Sequence, residues 1–243
     1  MTSMREGTLV VVSAHSADFV WRAGGALAAH TADGGRAHVI CLSFGERGES
    51  AKLWRQPGMT LDAVKAARKE EATHAADALG AEVSFFDAGD YPLPPAEQLV
   101  DRLAAELRNL APAAILTHAA YDPYNTDHAD AYRITLQSRM VAQAHGFQPE
   151  DGTVLGAPPV FVFEPHQPEV CEFRPDLLLD ITQSFPQKRK AMECMAAQEH
   201  LWRYYTDLAE RRGVQAVRNS GNKAIVHAEA YQRVFPTVAS VFS

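Results

Sequence analysis

Cysteine is scarce in this chain: three residues in 243, Cys41, Cys171 and Cys194, far apart and with no C-x-x-C pair. Such usage excludes a disulfide framework and a thiolate metal knuckle, and reads as reduced thiols of a cytoplasmic protein. No run of 18 apolar residues occurs, so nothing in the sequence reads as a membrane-spanning helix. The opening stretch MTSMREGTLVVVSA lacks the h-region and cleavage pattern of a signal peptide. Positive charge is not in excess either. The net charge is -7 with 22% charged residues, which argues against a general nucleic-acid or membrane-surface binder. It leaves room for an anionic substrate, because a few arginines can make one cleft locally positive. Neither G-x-x-x-x-G-K-[ST] nor G-x-G-x-x-G is present, so a nucleotide site has little support. Internal repeats and low-complexity linkers are missing too, and residues 1–243 are expected to form one domain.

What the sequence does contain is an alternation of short β-rich runs with longer helical patterns. Leu9–His15, His38–Phe44, Glu82–Asp87, Ala113–His118, Val160–His166 and Asp176–Thr182 read as strands. Their continuous Val/Ile/Leu/Phe character suits strands covered on both faces. Helices are expected over Trp21–Ala32, Thr60–Leu79, Glu97–Leu110 and His128–His145. A long one is expected from Phe185 to Arg212, stopped by Gly213. This order predicts an α/β fold with a doubly wound, mainly parallel, Rossmann-like sheet, whose ligands bind outside the carboxyl ends of the strands.

Metal-capable side chains crowd those ends. His15 and Asp18 leave the first strand, Glu46, Arg47 and Glu49 the second, Asp87 and Asp90 the third. His118 and Asp122 leave the fourth, Glu164 and His166 the fifth. Imidazole and carboxylate are common zinc ligands, and a catalytic site needs three of them with a position left open. His128, following Asp127 at the start of a helix, is a third candidate ligand; Asp122 or Asp127 would orient an imidazole through its other nitrogen. Glu46 or Glu49 would lie near a water, Arg47 near an anion. His166, held between prolines, suits a general acid near neutral pH.

These residues resemble the PIG-L/LmbE family of zinc-dependent deacetylases. The family's A-H-P-D-D reads here Ala14-His15-Ser16-Ala17-Asp18, its GG-x-L-A reads Gly24-Gly25-Ala26-Leu27-Ala28, and its T-x-G-E-x-G reads Ser43-Phe44-Gly45-Glu46-Arg47-Gly48. Its R-x-x-E helix matches Arg68 to Glu71 and its late D-H pair Asp127-His128. The resemblance implies that His15, Asp18 and His128 bind Zn2+, with Fe2+ or Co2+ also suited to such ligands. One departure bears on the reaction. The aspartate that serves the deacetylases as general base is replaced by Ala17, which moves no proton.

A narrower resemblance takes in that alanine. SAH-x-ADFVWRAGG, CLSFGERGESAKLWR, DPYN-x-DH, GAPPV-x-x-FEPHQPE and MAAQEHLWRYY look like the 4-oxalomesaconate hydratase branch of the same family. This resemblance implies addition of water to the carbon–carbon double bond of a small tricarboxylate. Glu49 would then activate water and His166 act as acid. Arg47, Arg68 and Arg22 are candidate carboxylate clamps, since guanidinium grips carboxylate in a two-point fork; Arg55 and Arg174 are weaker ones. Expected partners are that small molecule and, as an open question, further copies of the chain, with no nucleic acid and no membrane. The alternative reading is a zinc-dependent N-acyl deacetylase that uses Glu49 as base.

Overall fold

A computed structural model describes residues 7–147 and 153–238. The first six residues, where no leader was expected, therefore lie outside it. The chain runs β1 (Thr8–Ser13), α1 (Asp18–Ala32), β2 (Arg36–Cys41), α2 (Ala51–Trp54), α3 (Leu61–Ala78), β3 (Glu82–Phe85), α4 (Val100–Leu110) and β4 (Pro112–Thr117). It continues with α5 (Thr126–Gln143), β5 (Val160–Phe163), β6 (Leu177–Asp180), α6 (Phe185–Cys194), α7 (Leu201–Ser220) and β7 (Ala228–Arg233). Among the described residues the strands form one sheet in the order β3-β2-β1-β4-β5-β7-β6. Pairing is parallel from β3 through β5, while β7 runs antiparallel to both β5 and β6. This is the expected doubly wound α/β fold.

β1 explains why its sequence is an unbroken apolar run. Leu9 and Val11 point into the core under α1, α3, α6 and α7, whereas Val10 and Val12 point into the core under α4 and α5. Successive side chains alternate faces, so a strand covered on both sides must be apolar throughout. Each fully buried valine contributes about 1.5–3 kcal/mol, enough to fix the register of this central strand. Because β1 pairs with β2 on one side and β4 on the other, the direction of winding reverses there. That reversal leaves a crevice beyond the carboxyl ends of β1 and β4.

Two helical expectations are corrected. The single helix over Phe185–Arg212 is two helices, interrupted after Cys194 by a 3-10 turn at Ala196–Gln198. Gly213 does not stop the second. α7 continues to Ser220 and closes on Gly221, whose φ of 74 is the left-handed value that glycine tolerates. Gly213 is glycine for a different reason: a Cβ there would lie 1.9 Å from the Val226 carbonyl oxygen. β7 was missed altogether. Its sequence AEAYQR lacks β-branched residues and carries a buried glutamate, so only Tyr231 favours a strand. No helix among the described residues is long and apolar enough to cross a membrane.

Candidate active site

β1 ends at Ser13, and the next four residues turn into α1 with Ala17 as its N-cap. The turn is locked by the Asp18 carboxylate, whose Oδ2 accepts the backbone amide of His15 at 2.9 Å. That bond brings Asp18 back under His15, which is why the two residues stand three apart. Ser16, in place of the family proline, donates its hydroxyl to the Phe44 carbonyl at 2.7 Å and ties this turn to the loop after β2.

The loop Ser43–Ser50 answers which glutamate faces the site. Asp90 accepts the amides of Arg47 and Gly48, and the hydroxyl of Ser50 reaches the Gly45 carbonyl. Gly45 sits at φ 67, and its missing Cβ would lie 3.2 Å from the His15 Cβ. So constrained, the loop folds Glu46 back to accept the Phe44 amide, with no exposure at all. Glu49 instead reaches the histidines, its Oε1 3.2 Å from His15 Nδ1 and 3.9 Å from His128 Nε2.

His15, Asp18, Glu49 and His128 thus converge, one ligand atom from each lying within 4.8 Å of the others. His15 Nε2 is bonded to Asp127 Oδ2 at 3.2 Å, turning Nδ1 inward; His128 Nδ1 is bonded to Asp122 Oδ2 at 2.8 Å, turning Nε2 inward. Both inward nitrogens are buried without a hydrogen-bond partner. Orphaned buried nitrogens beside carboxylates are costly unless a cation joins them. The donor set is two imidazoles and up to two carboxylates, which fits a zinc ion.

The electrostatics agree. Burial opposes a charge on His15, yet Glu49 and then Asp127 and Asp18 hold its pKa well above the ordinary value. Asp18 is driven the other way. Burial would raise its pKa, but His118 and His128 bring it well below the carboxylate range. Glu49 too is lowered, His15 prevailing over its burial. The pocket therefore favours positive charge between its ligands. His118 is a different case. Burial, then His128, pushes it down to about 3, so it is neutral and accepts the Ala14 amide at 2.9 Å while stacking on His128. Asp122→Asn should weaken zinc binding about 10–100-fold by releasing His128 from its orientation. Competition against a zinc indicator measures it, and unchanged affinity would show that Asp122 does not set the ring.

Beside this cluster lies a cavity of about 240 Å³ lined by Asp18, Trp21, Arg22, Glu49, His128 and His166 among others. Glu49 is the most open member of the cluster, its side chain 14% exposed against 0% for His15. Its oxygens face Asn125 Nδ2 and Gln198 Nε2, each at 3.5 Å. Arg22 is buried, with Nε 3.7 Å from Asp18 Oδ1 and no hydrogen-bond partner. His166 stacks on Tyr204 and lies 3.5 Å from the Tyr205 hydroxyl. Burial and then Arg22 lower its pKa.

The other two arginines named as carboxylate clamps are placed elsewhere. Arg68 is fully buried, with its guanidinium committed to Phe44 O, Glu71 and Gln198. Arg47 is half-exposed over Glu46 and Asp90. Neither lines the cavity. Arg55 borders an adjoining outer cleft with Lys52 and His200, which shares Glu49 and Gln198 with this cavity, and exposed Arg174 lines neither space. Of the acids at strand ends, Asp87 pairs with Lys65 and Glu164 with Arg212. Tyr91, Asn125, Gln198 and Tyr205 were not singled out from sequence as cavity residues. The polar types of Asn125 and Gln198 beside recognised motifs were the available signal.

The family model for PIG-L, GlcNAc-PI de-N-acetylase, matches residues 10–138. The 4-oxalmesaconate hydratase of Pseudomonas putida strain KT2440 is 56% identical over 94% of this chain and 90% of its own length. The crystal structure of GalB, the 4-carboxy-2-hydroxymuconate hydratase of P. putida KT2440, aligns with a TM-score of 0.95 at 54% identity, covering 98% of this chain and 100% of GalB. N,N'-diacetylchitobiose deacetylase from Pyrococcus horikoshii shares the fold, with a TM-score of 0.74 at 18% identity over 93% of this chain and 83% of its own. With the family model matching more than half of its residues, this chain belongs to the PIG-L family.

Proposed function

We propose that the protein is a metal-dependent hydratase of gallate and protocatechuate breakdown. Its reaction adds water to the double bond of 4-oxalomesaconate or its enol tautomer 4-carboxy-2-hydroxymuconate, yielding 4-carboxy-4-hydroxy-2-oxoadipate. The observation that carries the reading is the pairing of Ala17 with Glu49. Ala17 is wholly buried and has no proton to move, while Glu49 meets the cavity from the opposite loop. The relatives matched end to end at 56% and 54% identity bear hydratase names. The deacetylases share only the fold.

His15, Asp18 and His128 would hold zinc, which when bound supplies Lewis acidity and lowers the pKa of water from 15.7 towards about 7. Glu49 takes the proton from the attacking water. Its lowered pKa keeps it ionised at neutral pH and ready to accept, and the Asn125 and Gln198 amides orient it. The hydroxyl goes to C4, which bears the branching carboxyl group, and His166 gives a proton to C5 beside it. An imidazole with a lowered pKa donates readily, and the substrate's own carboxylates would raise its protonated fraction on binding. Arg22 grips one carboxylate, since its guanidinium is already desolvated and Nε has no partner.

The test is the absorbance of 4-carboxy-2-hydroxymuconate mixed with zinc-loaded protein. Rapid loss of the conjugated chromophore, with the hydroxy acid as product, is expected. A stable chromophore together with acetate release from an N-acetylated amine would instead establish the deacetylase.

A further inference from the structure

α1 carries Asp18, Trp21 and Arg22 into the site, and its next turn is braced in an unusual way. In an uninterrupted helix the amides of Gly25 and Ala26 bond to the carbonyls of Trp21 and Arg22. Here three of these groups are bonded to side chains from outside the helix, and the fourth faces one. The Gly25 amide donates to Glu229 Oε1 and the Ala26 amide to Glu229 Oε2, each at 2.8 Å. The Trp21 carbonyl accepts from Lys188 Nζ at 2.9 Å, and the Arg22 carbonyl faces the Tyr231 hydroxyl oxygen at 3.4 Å, the single phenol proton going to the nearer Glu229.

The three outside residues form a closed set of their own. Glu229 Oε1 also accepts from Lys188 at 2.7 Å, and Oε2 from Tyr231 at 2.6 Å. One carboxylate therefore receives four donors, which is its full capacity. Burial and Glu229 keep the Tyr231 phenol well above its ordinary pKa, so it stays a donor. The glycine pair makes the approach feasible: a Cβ on Gly24 would lie 3.2 Å from Lys188 Cγ, and one on Gly25 would lie 2.6 Å from Ile181 Cδ1. A buried ion pair adds little stability over apolar packing of the same volume. What this one does is fix the peptide groups that follow Trp21 and Arg22, and with them the Cα atoms that bear the two side chains.

We infer that Glu229, with Lys188 and Tyr231, is a positioning residue that acts through Arg22, clamping the turn of α1 so that the guanidinium meets a substrate carboxylate. The inference rests on the reading of Arg22 as a carboxylate clamp, and it gives β7, remote in sequence, a part in the site.

The experiment is a double-mutant cycle on zinc-loaded protein, with Glu229→Gln and Arg22→Met, singly and together. It reads the KM for 4-carboxy-2-hydroxymuconate and the calorimetric affinity for tricarballylate, an unreactive tricarboxylate. A glutamine cannot accept all four bonds, so Glu229→Gln should raise both KM and the tricarballylate Kd about tenfold, with kcat and zinc content nearly unchanged. In the Arg22→Met background the same change should shift Kd less than about twofold, because the residues act as one unit. A lowered Tm with unchanged KM and Kd, or equal shifts in both backgrounds, would overturn the inference. So would a wild type that binds no tricarballylate. Should Glu229→Gln fail to fold, Tyr231→Phe removes a single hydroxyl and should weaken tricarballylate binding about threefold, again only when Arg22 is present; equal affinity would be fatal. If the wild type binds tricarballylate with this coupling but leaves the muconate unchanged, the proposed reaction falls and the positioning role stands.

Discussion

Glu49→Gln is expected to lower kcat about a thousandfold while one equivalent of zinc stays bound, since general base catalysis is worth roughly 10²–10⁴. The variant keeps the volume and one hydrogen-bonding oxygen but removes the charge that accepts the proton. It also loses an acceptor for either Asn125 or Gln198, which face the two carboxylate oxygens. KM should change little, because the proposed mechanism assigns the substrate's negative charge to Arg22 and not to Glu49. The variant also separates two roles that the geometry brings close, for Glu49 Oε1 lies among the ligand atoms of the cluster. Should zinc content fall with activity, Glu49 is a ligand; if kcat stays within about threefold of wild type, it is not the base.

Stripping the metal with a chelator should abolish turnover, and one equivalent of zinc should restore it. The effect follows from the ligand set. Without a cation, His15 Nδ1 and His128 Nε2 lack hydrogen-bond partners, and Asp18 and Glu49 carry charge in a buried pocket. The same electrostatics couple metal to stability. Free zinc at a thousandfold over its Kd would add about 4 kcal/mol, read as a rise in Tm on titration. Full activity in protein shown to be metal-free would refute the proposed chemistry. A metal-independent Tm would refute the coupling alone.

Much of this site was legible in the sequence because a doubly wound sheet converts linear order into place. An apolar run covered on both faces ends at the ligand edge, so His15 and Asp18 after β1, and Asp127-His128 after β4, could be assigned a common neighbourhood from strand order alone. The alanine at position 17 was equally readable, since a missing carboxyl needs no coordinates to be noticed. Loops and long-range partners were another matter. Glu46 and Glu49 share one loop and the same chemistry; the hydrogen bonds that the loop amides give to Asp90 and the left-handed Gly45 turn one into the wall and the other toward the histidines. Arg22, Arg47 and Arg68 looked alike as clamps, yet only Arg22 lines the cavity, because a helix face and not a motif decides where a long side chain ends.

The sequence by itself determined the α/β alternation, the metal-capable residue types at the strand ends and the alanine in place of the first aspartate, all of which depend on local pattern. Only the tertiary structure decided that β7 inserts between β5 and β6 and delivers Glu229 to α1, more than two hundred residues upstream. Local periodicity carries no signal for such a contact. Its energy comes from groups that are neighbours only once the chain has closed on itself.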